Sequence, residues 1–305
     1  MKNKKEFKGQ LSDTDLRVLR IFKAVVECGG FAAAEVELNI TRAAISIAMS
    51  TLETRLGFKL CLRGRSGFSL TSEGSEVYQY TLELLSAIEN FRTQVNTLHA
   101  NLKGELNIGI TDNLVTIPYM QVSNALARLK ETGPEVEINI RMIPPNEVES
   151  AVLSGGIHVG VVPDIRRLSG LEYSHLYNEK SFLYCSHRHP LAEKNDHDIS
   201  DSELNGFDTV TAAYAQSAEV KALTKPFKTS ASATDREGIA FLVHTGKYLG
   251  FLPEHYAARW LERDELMILQ PETYHFTTPF SAISSKNVRA NLVLETFMSL
   301  LNEQA

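Results

Sequence analysis

The chain has 305 residues, of which 43% are hydrophobic and 22% are charged, proportions typical of a folded protein of two or three domains. No apolar run approaches the roughly 18 residues of a transmembrane helix, and the basic N-terminus is not followed by the apolar stretch of a signal peptide. Cys28, Cys61 and Cys185 are far apart and odd in number, which argues against a disulfide framework and predicts a cytoplasmic protein without a membrane partner.

Charge is distributed unevenly along the chain. Residues 1–70 hold 12 basic and 7 acidic side chains, whereas the rest of the chain holds 19 basic and 30 acidic ones. The two parts therefore carry formal charges of +5 and −11, in agreement with the total of −6. A basic first segment on an acidic body favours a polyanion-binding module attached to a domain with another role.

The first predicted elements have the order of a helix-turn-helix. Ser12 and Asp15 have the spacing of a capping box, and the helix that they begin ends at Gly29 and Gly30. A short second helix fits residues 31–39, and Thr41 is a suitable N-cap for a third helix. Helix, short helix, tight turn and longer helix is the arrangement of a helix-turn-helix.

The third predicted helix has an apolar face and a face of small, nearly neutral side chains. Ile45, Met49, Leu52 and Leu56 recur at helical spacing and form the apolar stripe. The opposite face carries Arg42, Ala43, Ser46, Ile47 and Ser50. A solvated face would carry more Glu and Lys, so this pattern favours a helix that lies closely against a partner.

A hairpin and a long helix follow. Two short strand-like runs around Gly64–Gly67 predict a β-hairpin, the wing of a winged helix-turn-helix, with Arg63 and Arg65 flanking its tip. From Thr71 to about Asn101 an apolar seam with a period of 3.5 residues, broken by Thr81, predicts a coiled-coil dimer. The alternative is that this helix packs on its own domain. The predicted seam residues are Val77, Leu84, Ile88, Phe91, Val95 and Leu98.

Strands and helices alternate from Gly104 onward, which predicts two α/β lobes with parallel strands, joined by two crossings and separated by a cleft. The predicted division is a winged helix-turn-helix DNA-binding domain at 1–70, a linker helix at 71–101 and a cleft-forming α/β body at 102–305. Within the last, lobe I takes about 104–163 and 270–305, and lobe II takes about 164–269.

Ligands of open α/β sheets bind beyond the carboxyl ends of the strands, next to helix N-termini. The residues at those ends predict a ligand site made of Thr111, Asp112, Asn113, Pro145, Thr211, Tyr214, Ser232, Thr234 and Phe251, which is the effector site if the protein is a regulator. Helix N-termini favour an anionic group, whereas Asp112 opposes one. The combination favours a zwitterionic or multiply hydrogen-bonding effector, unless Asp112 only caps the helix that follows it.

Several motifs together resemble the LysR-type transcriptional regulators over essentially the whole chain. The N-terminal marks are Phe31, Ala34, Leu38, Ser46, Leu52-Glu53, Leu56-Gly57, Leu60, Arg63, Leu70-Thr71 and Gly74, and the later ones are His189–Ala192 and Tyr248–Ala257. The resemblance implies a winged helix-turn-helix, a long linker helix and a two-lobed body like that of periplasmic binding proteins. It also implies a ligand-responsive regulator that binds double-stranded DNA at pseudo-palindromic sites, with a tetrameric assembly, and no cofactor.

The DNA-contact residues depart from the family pattern. Where the family has Ser or Thr followed by Gln-Pro, this chain has Thr41, Arg42 and Ala43, and Ile47 replaces a basic residue. We expect Arg42 to contact guanine and Ser46 to donate or accept a hydrogen bond at a base edge. Ala43 and Ile47 are expected to contact a thymine methyl group. The remaining expected contacts with DNA are Ser50 on the same helix, and Arg55, Arg63 and Arg65 at phosphates.

Three alternatives remain at this stage. An enzyme has no support, since the chain lacks nucleophile-elbow, P-loop and metal-binding motifs; we expect the pair His187 and His189 to be solvent-exposed. A solute-binding protein would share the body's architecture but not the basic module. A redox-sensing regulator would have to use Cys185, for which the body holds no second cysteine.

Overall fold

The computed structural model describes residues 10–64, 67–97, 102–195, 198–287 and 291–303. The chain divides into two compact units, Met1–Ile88 and Glu89–Ala305. Within the described ranges, no helix has the length and apolar character needed to cross a membrane.

The first unit is a winged helix-turn-helix. Its elements are α1 (Asp13–Glu27), α2 (Phe31–Leu38), α3 (Arg42–Leu56), β1 (Cys61–Gly64), β2 (Gly67–Leu70) and the start of α4 (Ser72–Thr97). The predicted capping box is confirmed, because the side chains of Ser12 and Asp15 each accept from the backbone N–H of the other. The turn before α3 depends on Asn39, which adopts the left-handed conformation with φ of 51°.

The core of this unit forms where the apolar stripes of α1 and α3 meet. Phe22, Val25, Ile45 and Met49 are completely buried in it. Each such side chain contributes about 1.5–3 kcal/mol relative to an exposed position. The predicted apolar stripe of α3 is therefore confirmed as the face that holds the helix on its domain.

The wing and α4 are fixed by polar contacts at their junction. The buried carboxylate of Glu53 accepts the backbone N–H of Leu60 at 3.0 Å. Thr71 Oγ1 donates to the Lys59 carbonyl at 2.7 Å and accepts from the N–H of Gly74 at 2.8 Å. These bonds bring the first turn of α4 directly against the backbone of Leu60.

The second unit contains one sheet in the order β4-β3-β5-β11-β6-β9-β7-β8, with β10 paired to β6. The strands are β3 (Lys103–Ile110), β4 (Glu135–Met142), β5 (Val159–Pro163), β6 (Leu171–Ser186), β7 (Asp208–Ala212), β8 (Lys228–Ala233), β9 (Leu249–Pro253), β10 (Leu266–Ile268) and β11 (His275–Ser285). The helices are α5 (Gln121–Thr132), α6 (Pro145–Leu153), α7 (Asp201–Leu204), α8 (Ala218–Thr224), α9 (Arg236–His244), α10 (Glu254–Leu261) and α11 (Leu292–Asn302).

Two α/β lobes with parallel strands are confirmed. Strand β3 pairs in parallel with β4 and β5 in lobe I, and β7 pairs in parallel with β8 and β9 in lobe II. The long antiparallel pair β6 and β11 runs through both lobes and joins them. The apolar run Ser181–Ser186 predicts a strand, but β6 begins ten residues earlier, at Leu171. The last helix is predicted from residue 288, whereas α11 begins at Leu292.

The expectation of a solvent-exposed histidine pair is wrong for His189. His187 is exposed, but His189 is only 2% exposed, and its Nδ1 accepts the backbone N–H of Leu191 at 3.2 Å. Its ring contacts Phe207 edge to face, with ring centroids 4.6 Å apart. His189 therefore caps the short helical turn Pro190–Glu193 from inside the lobe.

Candidate DNA-binding surface and effector cleft

Helix α3 presents one face to its domain and another to solvent. Thr41 caps the helix, since its Oγ1 accepts the N–H of Ala44 at 3.3 Å. On the outer face Arg42, Ala43 and Ser50 are exposed, and Ser46 is half-buried. Ile47 is 68% exposed, so it makes no core contact within its own domain.

Arg55, predicted as a phosphate contact, has partners within the first unit. Its guanidinium is paired with Asp15 and donates to the carbonyl of Gln10 at 2.9 Å. Hydrogen bonds from Ser12, and then the charge of Arg55, lower the pKa of Asp15. The contact of Arg55 joins the C-terminal end of α3 to the start of α1, which gives this side chain a structural role.

The two arginines predicted to contact phosphates from the wing are Arg63 and Arg65. The backbone of Arg63 lies in β1, opposite Phe68 of β2. Arg65 lies outside the described residues. Their predicted phosphate contacts remain predictions.

The predicted seam of α4 differs in exposure along its length. Val77 and Leu84 pack in part against the core formed by α1 and α3, and Ile88 is half-buried. Phe91 and Val95 are 68% and 40% exposed. Leu98 lies outside the described residues. The first part of the seam thus also serves the winged helix-turn-helix, whereas Phe91 and Val95 leave apolar surface exposed.

A cavity of about 160 Å³ lies in the second unit between the strands that join the lobes and lobe II. Its apolar wall includes Pro163, Ile165, Val210, Phe251 and Pro279. Its hydroxyl-bearing wall includes Ser181, Thr209, Thr211, Tyr214, Ser217 and Thr224. Apolar walls with a few convergent polar groups are typical of small-molecule sites.

The charged side chains among the described residues that line this cavity are Asp164, Glu179, Glu219 and Arg236. Arg236 is 7% exposed and Glu179 is 4% exposed, and their side chains form an ion pair of 2.7 Å. Asp164 accepts from Ser281 at 3.1 Å and pairs with Arg167 at 2.9 Å. Thr209 Oγ1 is buried and has no hydrogen-bond partner among the described residues.

The structure brings three of the predicted effector residues to the cavity wall, namely Thr211, Tyr214 and Phe251. Burial raises the pKa of the Tyr214 hydroxyl, so it remains a neutral hydrogen-bond donor. The buried Thr111 hydroxyl has no partner among the described residues, and Asn113 donates to the Asp112 carboxylate at 2.6 Å.

Six predicted residues do not line the cavity, namely Thr111, Asp112, Asn113, Pro145, Ser232 and Thr234. Ser232 and Thr234 are exposed, and Thr234 donates to Asp235 at 3.0 Å. Pro145 is the first residue of α6.

Asp112 neither caps the turn that follows it nor faces the cavity with a free charge. It accepts the backbone N–H of Arg236 at 2.6 Å and pairs with the Arg236 guanidinium at 3.0 Å. The expected repulsion between Asp112 and an anionic ligand is therefore offset by a neighbouring cation. Sequence reasoning missed Arg236, although its position at the start of a helix, two residues after the predicted strand-end residue Thr234, was a usable signal.

Cys185 lies in the core of lobe II and is fully buried. Burial raises the pKa of its thiol to about 12, so almost no thiolate forms at neutral pH. A reactive cysteine needs thiolate character and access, and this side chain has neither. In the parts of the chain that the structure describes, no three His, Cys, Asp or Glu side chains are grouped as metal ligands.

Both parts of the chain are similar to known families. Residues 16–75 match the family model described as bacterial regulatory helix-turn-helix protein, lysR family, and residues 99–305 match that of the LysR substrate binding domain. The transcriptional activator BauR of Pseudomonas aeruginosa is 53% identical over 290 residues, which cover 95% of each chain. The regulator CysL of Bacillus subtilis is 24% identical over 289 residues, covering 93% of this chain and 95% of CysL.

Solved structures share the fold. Full-length CbnR complexed with its target DNA has a TM-score of 0.64 and 21% identity, covering 95% of this chain and 99% of CbnR. ArgP from Mycobacterium tuberculosis has a TM-score of 0.58 and 17% identity, covering 97% of each chain.

Proposed function

The chain belongs to the LysR-type transcriptional regulators, and from this premise we propose that the outer face of α3 contacts base edges and that the cavity of the second unit binds its effector. The protein is a DNA-binding transcriptional regulator with an effector-binding domain. The family consists of regulators, so we assign no catalytic activity. We propose that it acts in the cytoplasm, where it meets the chromosome, and, like the relative named as an activator, activates transcription.

The exposure of Ile47 is the observation that carries the DNA-binding proposal. Its helix buries Ile45 and Met49 completely, yet leaves this β-branched apolar side chain 68% exposed. The major groove is wide enough to admit an α-helix, and an apolar side chain on the inserted face contacts thymine methyl groups. Arg42 at the helix start has the geometry to contact guanine with two hydrogen bonds.

Arg42→Ala should relax sequence specificity at one base pair. The binding free energy should become less favourable by about 1–3 kcal/mol on the preferred operator. The loss should be much smaller on an operator altered at that base pair, because the wild-type contact is already missing there. Arg65→Ala should instead weaken all sequences about equally, since phosphate contacts carry no sequence information. Anisotropy titrations of the full chain on single-base operator variants, at several salt concentrations, distinguish the two. Uniform weakening by Arg42→Ala would assign that side chain to a phosphate.

We propose that the regulator is a dimer through α4 and a tetramer through its regulatory domains. Support for the dimer comes from the exposed apolar side chains Phe91 and Val95, and support for the tetramer comes from the family alone. A two-fold dimer requires a pseudo-palindromic site whose halves are about one helical turn, or a multiple of it, apart. We propose that the functional division is 1–70, 71–101 and 102–305. The boundary between the two compact units falls within the linker helix, after Ile88.

The cavity supports a small, multiply hydrogen-bonding effector that carries both charges. Asp164 and Glu219 can meet an ammonium group, and the guanidinium of Arg236 can meet a carboxylate, while hydroxyls supply the remaining contacts. A plain aromatic acid would bring no ammonium group to Asp164 and Glu219, which would then face an anion. The sequence-based preference for a zwitterion therefore stands as a proposal, on the cavity's charges rather than on Asp112 alone.

A thermal-shift screen of the full chain against polar metabolites should find the effector. Thr209→Val should then weaken effector binding about five- to tenfold, because it removes one hydrogen bond. The variant keeps the shape of the side chain and removes a buried hydroxyl without a described partner, so stability should not fall. Thr234→Val, at an exposed position outside the cavity, is the matched control. Equal affinities of wild type and Thr209→Val, measured by calorimetry, would place the effector elsewhere.

A further inference from the structure

Five polar side chains form a continuous network in the second unit. Asp112 accepts from the Arg236 guanidinium at 3.0 Å, and the same guanidinium donates to Glu179 at 2.7 Å. The other oxygen of Glu179 lies 3.1 Å from Nε2 of His255. Nδ1 of His255 lies 2.7 Å from Oγ1 of Thr116. The chain of contacts is unbroken from Asp112 to Thr116.

The network joins the two lobes at two points. Asp112 and Thr116 follow strand β3 in lobe I, whereas Arg236 and His255 lie at the starts of α9 and α10 in lobe II. Glu179 lies on β6, the strand that runs through both lobes. The first junction also includes the backbone, since the N–H of Arg236 donates to Asp112 at 2.6 Å.

Burial makes the Asp112–Arg236 interlobe ion pair hard to break by itself. The side chains of Arg236 and Asp112 are 8% and 16% exposed. Removing one partner from such a pair leaves an uncompensated charge away from water, which is strongly unfavourable. Exchange of Asp112 is therefore most favourable when another anion takes its place at Arg236.

The cavity is where such an anion can reach Arg236. Arg236 and Glu179 line the cavity, whereas Asp112 and His255 do not. The guanidinium is thus shared between the interlobe contact and the ligand space. Glu179 already pairs with Arg236 and so cannot take the place of Asp112. The group that can replace Asp112 is therefore the carboxylate of a ligand.

We propose that Arg236 exchanges partners: it holds the lobes together through Asp112 in the effector-free protein, and the carboxylate of an effector in the cavity replaces Asp112. The proposal rests on the cavity being the effector site. Release of Asp112 leaves its carboxylate to be hydrated, which favours separation of β3 from α9 at that edge of the cleft. A ligand shifts the equilibrium between joined and separated lobes only if it binds one of these states more tightly. The exchange supplies this difference, because the ligand carboxylate pairs with Arg236 only after Asp112 has left.

The first test needs no ligand. Asp112→Asn removes the ion pair with minimal change of shape, and hydrogen exchange of the full chain should become about tenfold faster in residues 111–117 and in the first turn of α9. Glu149→Gln breaks a buried carboxylate pair with Arg166 away from the cavity and should leave both segments unchanged. Unchanged exchange of these segments in Asp112→Asn overturns the interlobe role. If the variant unfolds, seen as faster exchange throughout β5, Arg236→Lys replaces it.

The second test uses acetate as a minimal carboxylate, with acetamide and chloride at equal ionic strength as controls. Acetate alone should accelerate exchange in the same two segments of the wild type, and Arg236→Gln should abolish its effect. Equal behaviour of acetate and chloride overturns the partner exchange. The proposed effector site is judged separately by the Thr209→Val affinities, so the two failures are distinguishable.

Discussion

Gly74→Ala should unfold the winged helix-turn-helix at temperatures where the wild type is stable. In an ordinary helix this change would stabilise by about 1 kcal/mol. Here the added Cβ would overlap the carbonyl oxygen of Leu60 and lie 2.8 Å from its carbonyl carbon. The clash is with backbone, which cannot rotate away, so we expect a net loss of about 3 kcal/mol or more. For a unit of this size that lowers the melting temperature by about 15 °C.

Calorimetry of the full chain measures this prediction, since the two compact units are expected to melt in separate transitions. The transition of the first unit should move while that of the second does not. Ser75→Ala, at the exposed neighbouring position in the same helical turn, should stay within about 0.5 kcal/mol of wild type. A Gly74→Ala protein that melts at or above the wild-type temperature would contradict the close approach of α4 to β1.

Local signals were sufficient to predict the first unit. The capping box at Ser12, the N-cap Thr41 and the stripe Ile45–Leu52 depend on residues within one or two helical turns of each other. Such signals act in the isolated segment, so the sequence shows them directly. Glu53 illustrates the limit, because its partner Leu60 becomes visible only once the wing is folded.

The first half of β6 could not be predicted in the same way. Residues 171–180 are largely polar and partly exposed, so their hydrophobic pattern is weak. They are extended because they pair with β11, about a hundred residues later in the chain. Strand formation by long-range pairing leaves little trace in the local pattern.

The effector cleft shows both the use and the limit of the strand-end rule. It placed Thr211, Tyr214 and Phe251 correctly at a cavity wall, because that edge of the sheet follows from topology. It did not identify Arg236, since a charged residue at a helix start is usually solvated. Its burial depends on Glu179 and Asp112, which lie 57 and 124 residues away. The sign of the local field therefore could not be derived from Asp112 alone.

Replacing Phe91 and Val95 together with Asp should convert the protein to monomers and reduce operator affinity by at least about a hundredfold, because two half-sites no longer bind as one unit. Both side chains are exposed and lie four residues apart on one face of α4. They are a better test than Leu84, whose partial burial against α1 and α3 would confuse dissociation with unfolding.

Light scattering measures the mass of the double variant and of a control. Arg92→Asp also changes the charge by two at an exposed position outside the predicted seam. Among the described residues it breaks an exposed ion pair with Glu89, which is worth little. If the Arg92 variant and the double variant both keep the wild-type mass, the exposed end of the seam is not the dimer interface and dimerisation occurs elsewhere.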